Sequence, residues 1–398
     1  MKFLVGLLLL TAAASIQAQA WKVLPKGVRI VGYRNVTTNK ITANFNELGG
    51  ESPLGAQFRV DMNSLNQMTG GLPINGINLN DFVVGEYKVD AEAQMNVHGT
   101  GFGWGLTDRV MFYAELAYYK ANVKAKIKRT AGNTYEDIAR QLEQDPNMSQ
   151  QAIANIIRGL VDVNERTIQS VITNYYGYKP LGTWHGTGYG DMETGFMTKV
   201  IDKGVWGLMV YPGVVLPTGY QDDPDILQDV GFGDGQFDLF AEAATGYVVN
   251  DKLSFGTTLR YTYQAPTTKK LRIPSDRDFT LASEKGSFDV KYGDKINWML
   301  NSTYSVNDWL SFTPVYRFLY QMPSSYQSKH SDANKFLAHN SDKMEHQVQL
   351  TTSISSITPF LKKEFLLPAT INVNLVKTIS GMNVPNHSRF EVEFRMLF

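Results

Sequence analysis

Cysteine is absent from the 398 residues, which excludes disulfide frameworks, thiolate zinc sites and thiol catalysis. An excess of one charge is also absent, because 38 Lys and Arg balance 38 Asp and Glu. Nucleic-acid binding through counterion release needs a basic surplus, so no nucleic-acid partner is expected. With few prolines and 12% aromatic residues, the composition is not that of a disordered chain. Tyr, Phe and Gly are plentiful instead, at 20, 21 and 34 residues.

The first twenty residues have the pattern of an export signal. Lys2 precedes an apolar stretch that ends at Ile16, and Ala18-Gln19-Ala20 supplies the small residues that signal peptidase recognises. We therefore predict a cleavable signal peptide over 1–20 and a mature chain over 21–398. No later stretch of 18 consecutive apolar residues occurs, which excludes a helical inner-membrane protein.

Most of the mature chain alternates apolar and polar residues with a period of two, which is the signature of β-strands. A soluble sandwich and a membrane barrel both produce this alternation. The barrel is favoured because the predicted strands reach about ten residues, as a tilted membrane crossing requires. Aromatic residues also gather near strand ends, as in the girdles of membrane barrels. The C-terminal Phe398 resembles the assembly signal of outer-membrane barrels and implies the barrel assembly machinery and outer-membrane lipid as partners.

The sequence therefore predicts an all-β, transmembrane antiparallel barrel of about 12 strands in the bacterial outer membrane. The predicted strands are 27–45, 84–105, 110–129, 183–201, 205–217, 235–249, 252–265, 286–306, 309–322, 342–357, 369–380 and 388–398. Short turns alternate with long connections, and the short ones are placed in the periplasm with both termini. Two places break the pattern. The apolar face of 110–129 changes parity midway, which predicts a bulge or a register error, and connection 358–368 is long for a periplasmic turn.

One external loop departs from the β pattern and is predicted to be a helical insertion over about 133–177. Apolar residues recur at three- and four-residue steps within Ser149–Tyr175, and a shorter helix is predicted at 135–144. The favoured interpretation is a lid whose apolar stripe packs over the barrel rim. The alternative is a gate or an apolar capture surface.

Catalytic, cofactor and metal motifs are not found, and we predict no enzyme activity and no cofactor. The glycine series Gly99–Gly105 lacks the helix of a dinucleotide fold and is assigned to barrel packing. His346, placed on an inward position, lies near Ser341 and Ser353 in sequence, but nothing orients a nucleophile there. Clustered aspartates, including Asp222 and Asp229, could hold calcium, but a solvated loop is the favoured interpretation because their spacing is not that of an EF-hand.

The predicted inward positions carry both signs of charge, which does not resemble an ion-selective ring. The lumen is thus expected to be either a narrow wet channel or a nearly closed polar network. The candidate lumen-lining residues are Lys88, Asp90, Glu92, Asp191, Glu193, Asp238, Glu242, Arg260, Lys295, Arg317, Glu345, Glu391, Glu393 and Arg395.

Four short motifs resemble outer-membrane proteins of the phenol meta-degradation type, which are related to FadL-like transporters of hydrophobic compounds. The motifs are Gly105-Leu106-Thr107-Asp108-Arg109-Val110, Gly188-Tyr189-Gly190-Asp191, Pro217-Thr218-Gly219 preceded by Gly213, and Gly231-Phe232-Gly233-Asp234-Gly235-Gln236-Phe237-Asp238. The resemblance implies passive uptake of small apolar or aromatic compounds. This chain departs from the FadL-like pattern because its first strand begins about six residues after Trp21, without room for an N-terminal plug. Loop 47–83, with Leu72-Pro73-Ile74, is the alternative candidate for a segment that folds inward.

The leading functional hypothesis is a channel that admits small hydrophobic or aromatic solutes, with the helical loop as its lid. The alternative is a structural or surface-interaction barrel whose lumen is closed.

Overall fold

The computed structural model describes residues 21–61, 83–144, 151, 154–155, 158, 163–277 and 281–398. The predicted signal peptide lies outside these residues, as do Leu72-Pro73-Ile74 and part of the predicted helical stripe, including Ile153, Ile156 and Ile157. Among the described helices, none is long and apolar enough to cross a membrane.

The described chain forms a closed antiparallel barrel of twelve wall strands, which confirms the predicted fold class. Numbered in chain order with the shorter strands, the wall consists of β1 (Arg29–Thr38), β5 (Val83–Gly105), β6 (Val110–Ala131), β7 (Thr183–Tyr189) continued by β8 (Met192–Asp202), β9 (Trp206–Leu216), β10 (Asp238–Val248), β11 (Leu253–Gln264), β14 (Lys295–Ser305), β15 (Leu310–Gln321), β17 (Lys343–Ser355), β18 (Ala369–Met382) and β20 (Ser388–Leu397). The sheet closes because β1 pairs with both β5 and β20. Since β7 and β8 both pair with β6, they count as one interrupted wall strand.

Alternation along each strand separates a lipid-facing side from an inward side. Outward positions of β10 and β11 expose Leu239, Tyr247 and Leu259, whereas the inward positions bury polar groups such as Thr258 and Arg260. A soluble protein shows the opposite arrangement, with apolar residues buried and polar residues exposed. The wall therefore carries the apolar outer surface expected of a transmembrane barrel.

Strands β5 and β6 are 23 and 22 residues long, about twice the length of their neighbours. Their pairing keeps one register from Tyr87 opposite Arg129 to Gly105 opposite Met111. The bulge predicted within 110–129 is therefore not present. The apolar face changes parity because the strand leaves the membrane: outward positions near Phe112 meet lipid, whereas outward positions near Lys124 meet water.

Short elements form an external layer over the barrel. They are β2 (Ala43–Phe45), β3 (Glu51–Pro53), β4 (Gln57–Asp61), β12 (Thr267–Arg272), β13 (Lys285–Lys291), β16 (Ser325–Gln327) and β19 (Val384–Pro385), with helices Tyr135–Glu143, Glu165–Ser170 and Ser331–Ala338, and a π-helical turn Val171–Tyr175. Asn164 caps the second helix by accepting backbone hydrogen bonds from Arg166 and Thr167. In the helical loop, Ile168 and Ile172 pack against the inner side of the β5–β6 hairpin beside Val89 and Ile127. The short helix Ile357–Leu361 begins one residue before the long connection at 358–368 and forms its first part.

Candidate solute passage

Two cavities lie within the barrel, one below the other. The upper cavity has a volume of about 450 Å³ and lies beneath the external loops. The lower cavity has a volume of about 710 Å³ and reaches the N-terminal segment Lys22–Pro25. Both cavities are lined by the same belt of side chains, which forms the boundary between them: Asp234, Glu242, Thr258, Arg260, Lys295, Asn297 and Met299. The barrel thus encloses two chambers in series.

Arg260 is the central cation of this belt. Its guanidinium donates two hydrogen bonds to the Glu193 carboxylate, at 3.0 and 2.8 Å, and lies 3.9 Å from the nearer Glu242 oxygen. The Tyr113 hydroxyl donates to the same Glu193, and the guanidinium stacks 3.6 Å above the ring centre of Phe240. A bidentate pair fixes a guanidinium in one plane and orientation. Arg260 is therefore a positioned group at the boundary between the two cavities.

A second set of ion pairs follows the strand β20 side of the lumen. Glu393 lies 3.3 Å from an Arg34 nitrogen and 2.7 Å from an Arg395 nitrogen. Glu391 accepts from Arg389 at 2.6 Å and from Asn374 at 3.2 Å. Charges removed from water need partners of this kind to remain ionised. The lining is therefore polar but largely neutralised by internal pairing.

The lower chamber combines apolar and adaptable side chains with these charges. Its lining includes the inward glycines Gly99, Gly101 and Gly103, which leave room where a side chain would narrow it. Methionine thioethers are flexible and polarisable, and they fit apolar partners of different shapes. The apolar lining includes Met111, Met197, Met209, Tyr113, Tyr211 and Phe232.

Trp21 anchors the N-terminal segment within the end of the barrel that carries the short turns. Its side chain is fully buried against Met209, Tyr211 and Ala244. It occupies space left by Gly207, where an added Cβ would lie 2.1 Å from the indole ring. The indole N–H also donates to Asp202 at 3.3 Å. The segment that follows, up to Pro25, consequently covers part of the lower chamber.

Asp191 joins the barrel wall to loop 218–234 at the break between β7 and β8. Its two carboxylate oxygens accept backbone hydrogen bonds from Gly219 at 2.8 Å and from Asp234 at 3.1 Å. Gly219 and Gly233 pack on each other so closely that a Cβ on either would clash with the other's Cα at 2.7 Å. Three of the four motifs that resemble the phenol meta-degradation proteins therefore meet at this one point.

Below the Asp191 contact, the side chain of Phe232 in loop 218–234 extends into the lumen. Its ring stacks on Tyr119 with centroids 5.1 Å apart and planes at 7°. Tyr220 and Trp184 flank the same ring. Loop 218–234 is thereby held as part of the passage wall.

Arg272 fastens the helical loop over the upper chamber. Its guanidinium donates to the carbonyl oxygens of Tyr176 and Gly177, and to Asp225 at 2.6 Å. Lys285 also contacts Asp225, at 2.7 Å. Burial by itself raises the pKa of the Asp225 carboxyl, but Lys285 and Arg272 outweigh it and hold that pKa below its usual range. One arginine thus links three external segments.

The structure places most of the predicted lining residues on inward positions. These are Asp191, Glu193, Asp238, Glu242, Arg260, Lys295, Arg317, Glu345, Glu391, Glu393 and Arg395. Arg317 borders the upper chamber, and Lys295 bridges toward Asp238 at 3.7 Å and Asp234 at 3.9 Å. Arg260, Glu193 and Glu242 form one cluster, while Arg395 and Glu393 form another.

The lumen-facing prediction is wrong for Lys88, Asp90 and Glu92. They share the outward face of β5 with Phe102 and Trp104, and they are half-exposed. Their inward neighbours Val89, Ala93, Met95 and Val97 are the buried ones. This outer part of β5 extends beyond the lipid-facing wall. Its apolar side chains therefore point inward, where other parts of the protein cover them.

The residues behind the catalytic and calcium alternatives have protein partners in the structure. His346 lies on the outward face of β17, where its Nδ1 is 2.7 Å from the Tyr316 hydroxyl, and not inward as predicted. The described residues contain no group of three or more side chains arranged to hold a metal ion. Asp223 pairs with Lys179, and Asp229 accepts from the Tyr220 hydroxyl at 2.7 Å, so these loop aspartates have protein partners.

Arg34, Glu115 and Trp21 were missing from the predicted lining. Arg34 follows Ile30 and Gly32 at two-residue steps, so the alternation in β1 could have identified it. Glu115 lies between the outward residues Ala114 and Leu116, so the same alternation in β6 could have identified it. Trp21 precedes the first strand and packs at Gly207, which is far from it in sequence. The sequence around Trp21 therefore does not indicate its position.

No family model matches this sequence, and no curated protein matches it. The fold is similar to the crystal structure of an outer membrane channel from Pseudomonas putida F1, with a TM-score of 0.56 and 11% identity over 96% of this chain and all of that one. The toluene transporter TodX of P. putida gives a TM-score of 0.34 at 11% identity, covering 94% of this chain and 90% of that one. The CymD monoaromatic hydrocarbon channel gives 0.34 at 7% identity, covering 94% and 88%. The last two scores are too low to establish a shared fold. The likeness to the first structure, together with the apolar outer surface, identifies this fold as that of an outer-membrane β-barrel.

Proposed function

We propose that the chain is an outer-membrane channel for passive uptake of small hydrophobic or aromatic solutes. The observation that carries the proposal is the pair of chambers in series, which share a lining belt around Arg260 and Thr258. A solute entering beneath the helical lid passes this belt into the lower chamber and leaves beside the N-terminal segment. Downhill diffusion needs no further machinery.

The chemistry of the lining supports the choice of solute. Methionine and aromatic side chains such as Met209 and Tyr211 offer apolar contacts in the lower chamber. The charges beside them are largely paired with one another, as between Arg260 and Glu193. An uncharged, partly apolar solute can pass paired charges without displacing a counter-ion. A strongly charged solute would have to compete with the existing ion pairs.

Solute flux into liposomes tests the proposal directly. The purified barrel should admit phenol and similar uncharged aromatics faster than sugars of comparable size. Thr258→Trp places a large ring in the shared belt and should block flux, because Thr258 faces inward and is buried. Leu259→Trp is the matched control, since the neighbouring side chain faces lipid and is 54% exposed. Flux that is equal in both variants would contradict a passage through this belt.

A closed structural barrel is the alternative, and the ion pairs that extend along the lumen favour it. On that hypothesis Arg34, Glu393 and Arg395 serve to rigidify the wall. Neither conductance nor solute flux would then be detected, even after deletion of residues 135–175. Measurable flux through the wild-type barrel would exclude it.

A further inference from the structure

The outer halves of β5 and β6 form a hairpin that extends beyond the lipid-facing part of the wall. We call it the outer hairpin and define it as residues 83–97 and 119–131. A tilted strand crosses a membrane in about 9–11 residues, so strands of 23 and 22 residues have roughly ten to spare. The two faces of this hairpin are different in character.

Its inner face is covered by protein. Val89 and Ile127 pack with Ile168 and Ile172 of the helical loop, and Met95 packs with Phe232 further down. Its outer face carries only polar side chains on β6 beyond Tyr118. The cations of this face and its margins are Lys40, Arg59, Lys88, Lys120, Lys124, Lys126 and Lys128, against the carboxylates Glu86, Asp90 and Glu92, with Glu165 at the β6 edge near Lys126.

Two carboxylates hold these amines in place without neutralising them. Asp90 contacts Lys128 and lies 3.0 Å from the Lys88 amine. Glu92 lies 2.9 Å from the Lys124 amine and 3.5 Å from that of Lys40. Each carboxylate is therefore shared between two ammonium groups, which leaves one positive charge per triad. Among the described residues, Lys120 and Lys126 form no ion pair.

The basic face begins where the lipid-facing surface ends. On β6 the outward positions are Phe112, Ala114, Leu116 and Tyr118, and the next one is Lys120. Tyr118 packs edge-on against Tyr189 with ring centroids 5.2 Å apart, as aromatic residues do at a membrane interface. From Lys120 to Lys128 the row extends about 27 Å along the strand at 3.4 Å per residue. Its lower end is thus at the level of lipid headgroups.

We propose that the outer face of this hairpin binds the phosphate groups of the glycolipid in the outer leaflet, lipopolysaccharide. Ammonium groups next to the bilayer attract anionic headgroups, and several lysines in a row can contact more than one phosphate. The position argues for a membrane-bound anion over a dissolved one, because the row continues directly from the lipid-facing surface. The binding is independent of whether the lumen conducts solutes.

Native mass spectrometry of the full-length mature barrel in detergent tests this proposal, with deep-rough lipopolysaccharide as the probe. The variant Lys120→Gln, Lys124→Gln, Lys126→Gln, Lys128→Gln should bind it at least roughly tenfold more weakly, because each lysine near an anionic lipid surface contributes to the affinity. A control variant removes four exposed lysines elsewhere, Lys203, Lys252, Lys270 and Lys329, and should bind like wild type. Dephosphorylated lipopolysaccharide should bind wild type as weakly as the intact lipid binds the quadruple variant.

A second variant distinguishes loss of lipid binding from loss of folding in the quadruple lysine variant. Asp90→Asn combined with Glu92→Gln frees the four paired amines and should strengthen binding, which a damaged barrel would not do. Equal affinity of wild type and the quadruple variant would overturn the proposal. So would weaker binding by the Asp90 and Glu92 double variant, or equal binding of the dephosphorylated lipid.

Discussion

The Asp191 carboxylate accepts a hydrogen bond from the Gly219 backbone N–H at 2.8 Å, and this bond connects the break between β7 and β8 to a loop residue 28 positions further along the chain. The other oxygen accepts from the Asp234 N–H, so one side chain orders both ends of loop 218–234. Substitutions at this joint should therefore affect the passage wall through loop 218–234, which includes Asp234 of the shared belt.

Asp191→Ala should destabilise loop 218–234 because both N–H groups lose a charged acceptor. The loss amounts to about 1.5–3 kcal/mol for each hydrogen bond to a charged group, reduced where water replaces it. Limited proteolysis should show new cleavage within 218–234, and the heat-induced mobility shift of the barrel should occur at lower temperature. Asp251→Ala, in an exposed short turn, is the control and should change neither. An uncleaved loop would contradict this role of Asp191.

Arg260→Ala should make the passage prefer cations. The substitution leaves Glu193 and Glu242 without their cation near the boundary between the two cavities, and unpaired carboxylates there attract cations and repel anions. Reversal potentials in planar bilayers under a salt gradient measure the preference. Combining Arg260→Ala with Glu193→Gln and Glu242→Gln should remove it again. An unchanged reversal potential in the single variant would show that ions do not pass this belt.

Trp21→Ala should raise single-channel conductance, because the N-terminal segment loses its anchor. Replacing a buried Trp by Ala removes about 3–5 kcal/mol of packing. The segment up to Pro25 should then leave the lower chamber more often and reduce its obstruction. The lipid-facing Trp298→Ala is the control, since that ring is 39% exposed and outside the lumen. Conductance equal to wild type in both variants would contradict obstruction by this segment.

Acid should loosen the helical loop through Asp225. Because the folded loop lowers the pKa of this carboxyl, its ion pairs stabilise the fold at neutral pH. That contribution is lost as the pH falls through the folded pKa, which lies below the ordinary value for aspartate. Protection factors against hydrogen exchange at residues 163–182, which correct for the slower intrinsic exchange in acid, should therefore fall from pH 7 to pH 3. Arg272→Ala should raise exchange at pH 7 and leave a smaller pH response; the same response in that variant would rule out this ion pair as its source.

Much of the barrel could be predicted from alternation, because each wall strand must present one face to lipid and one to the lumen. Arg260, Glu193 and Glu242 were placed inward by that rule, but their pairing could not be predicted, because β8, β10 and β11 bring them together from distant positions. The alternation also does not predict the break between β7 and β8 at Gly190 and Asp191. At this break the inward-facing residues change from even-numbered positions, such as Trp184 and Gly186, to odd-numbered positions, such as Glu193 and Gly195.

The sequence by itself determined the number of wall strands, the helical external loop and the alternation of short and long connections, because each depends on local periodicity and turn chemistry. For the part of a strand that lies outside the membrane, only the tertiary structure decided which face points into the barrel. Below Tyr118 lipid receives the apolar side chains, so they point outward. Above it water surrounds the wall, and Val89 and Val123 turn inward against the loops while Lys88 and Lys124 face out. The same two-residue period therefore has opposite meanings in the two halves of one strand, because the surrounding solvent differs.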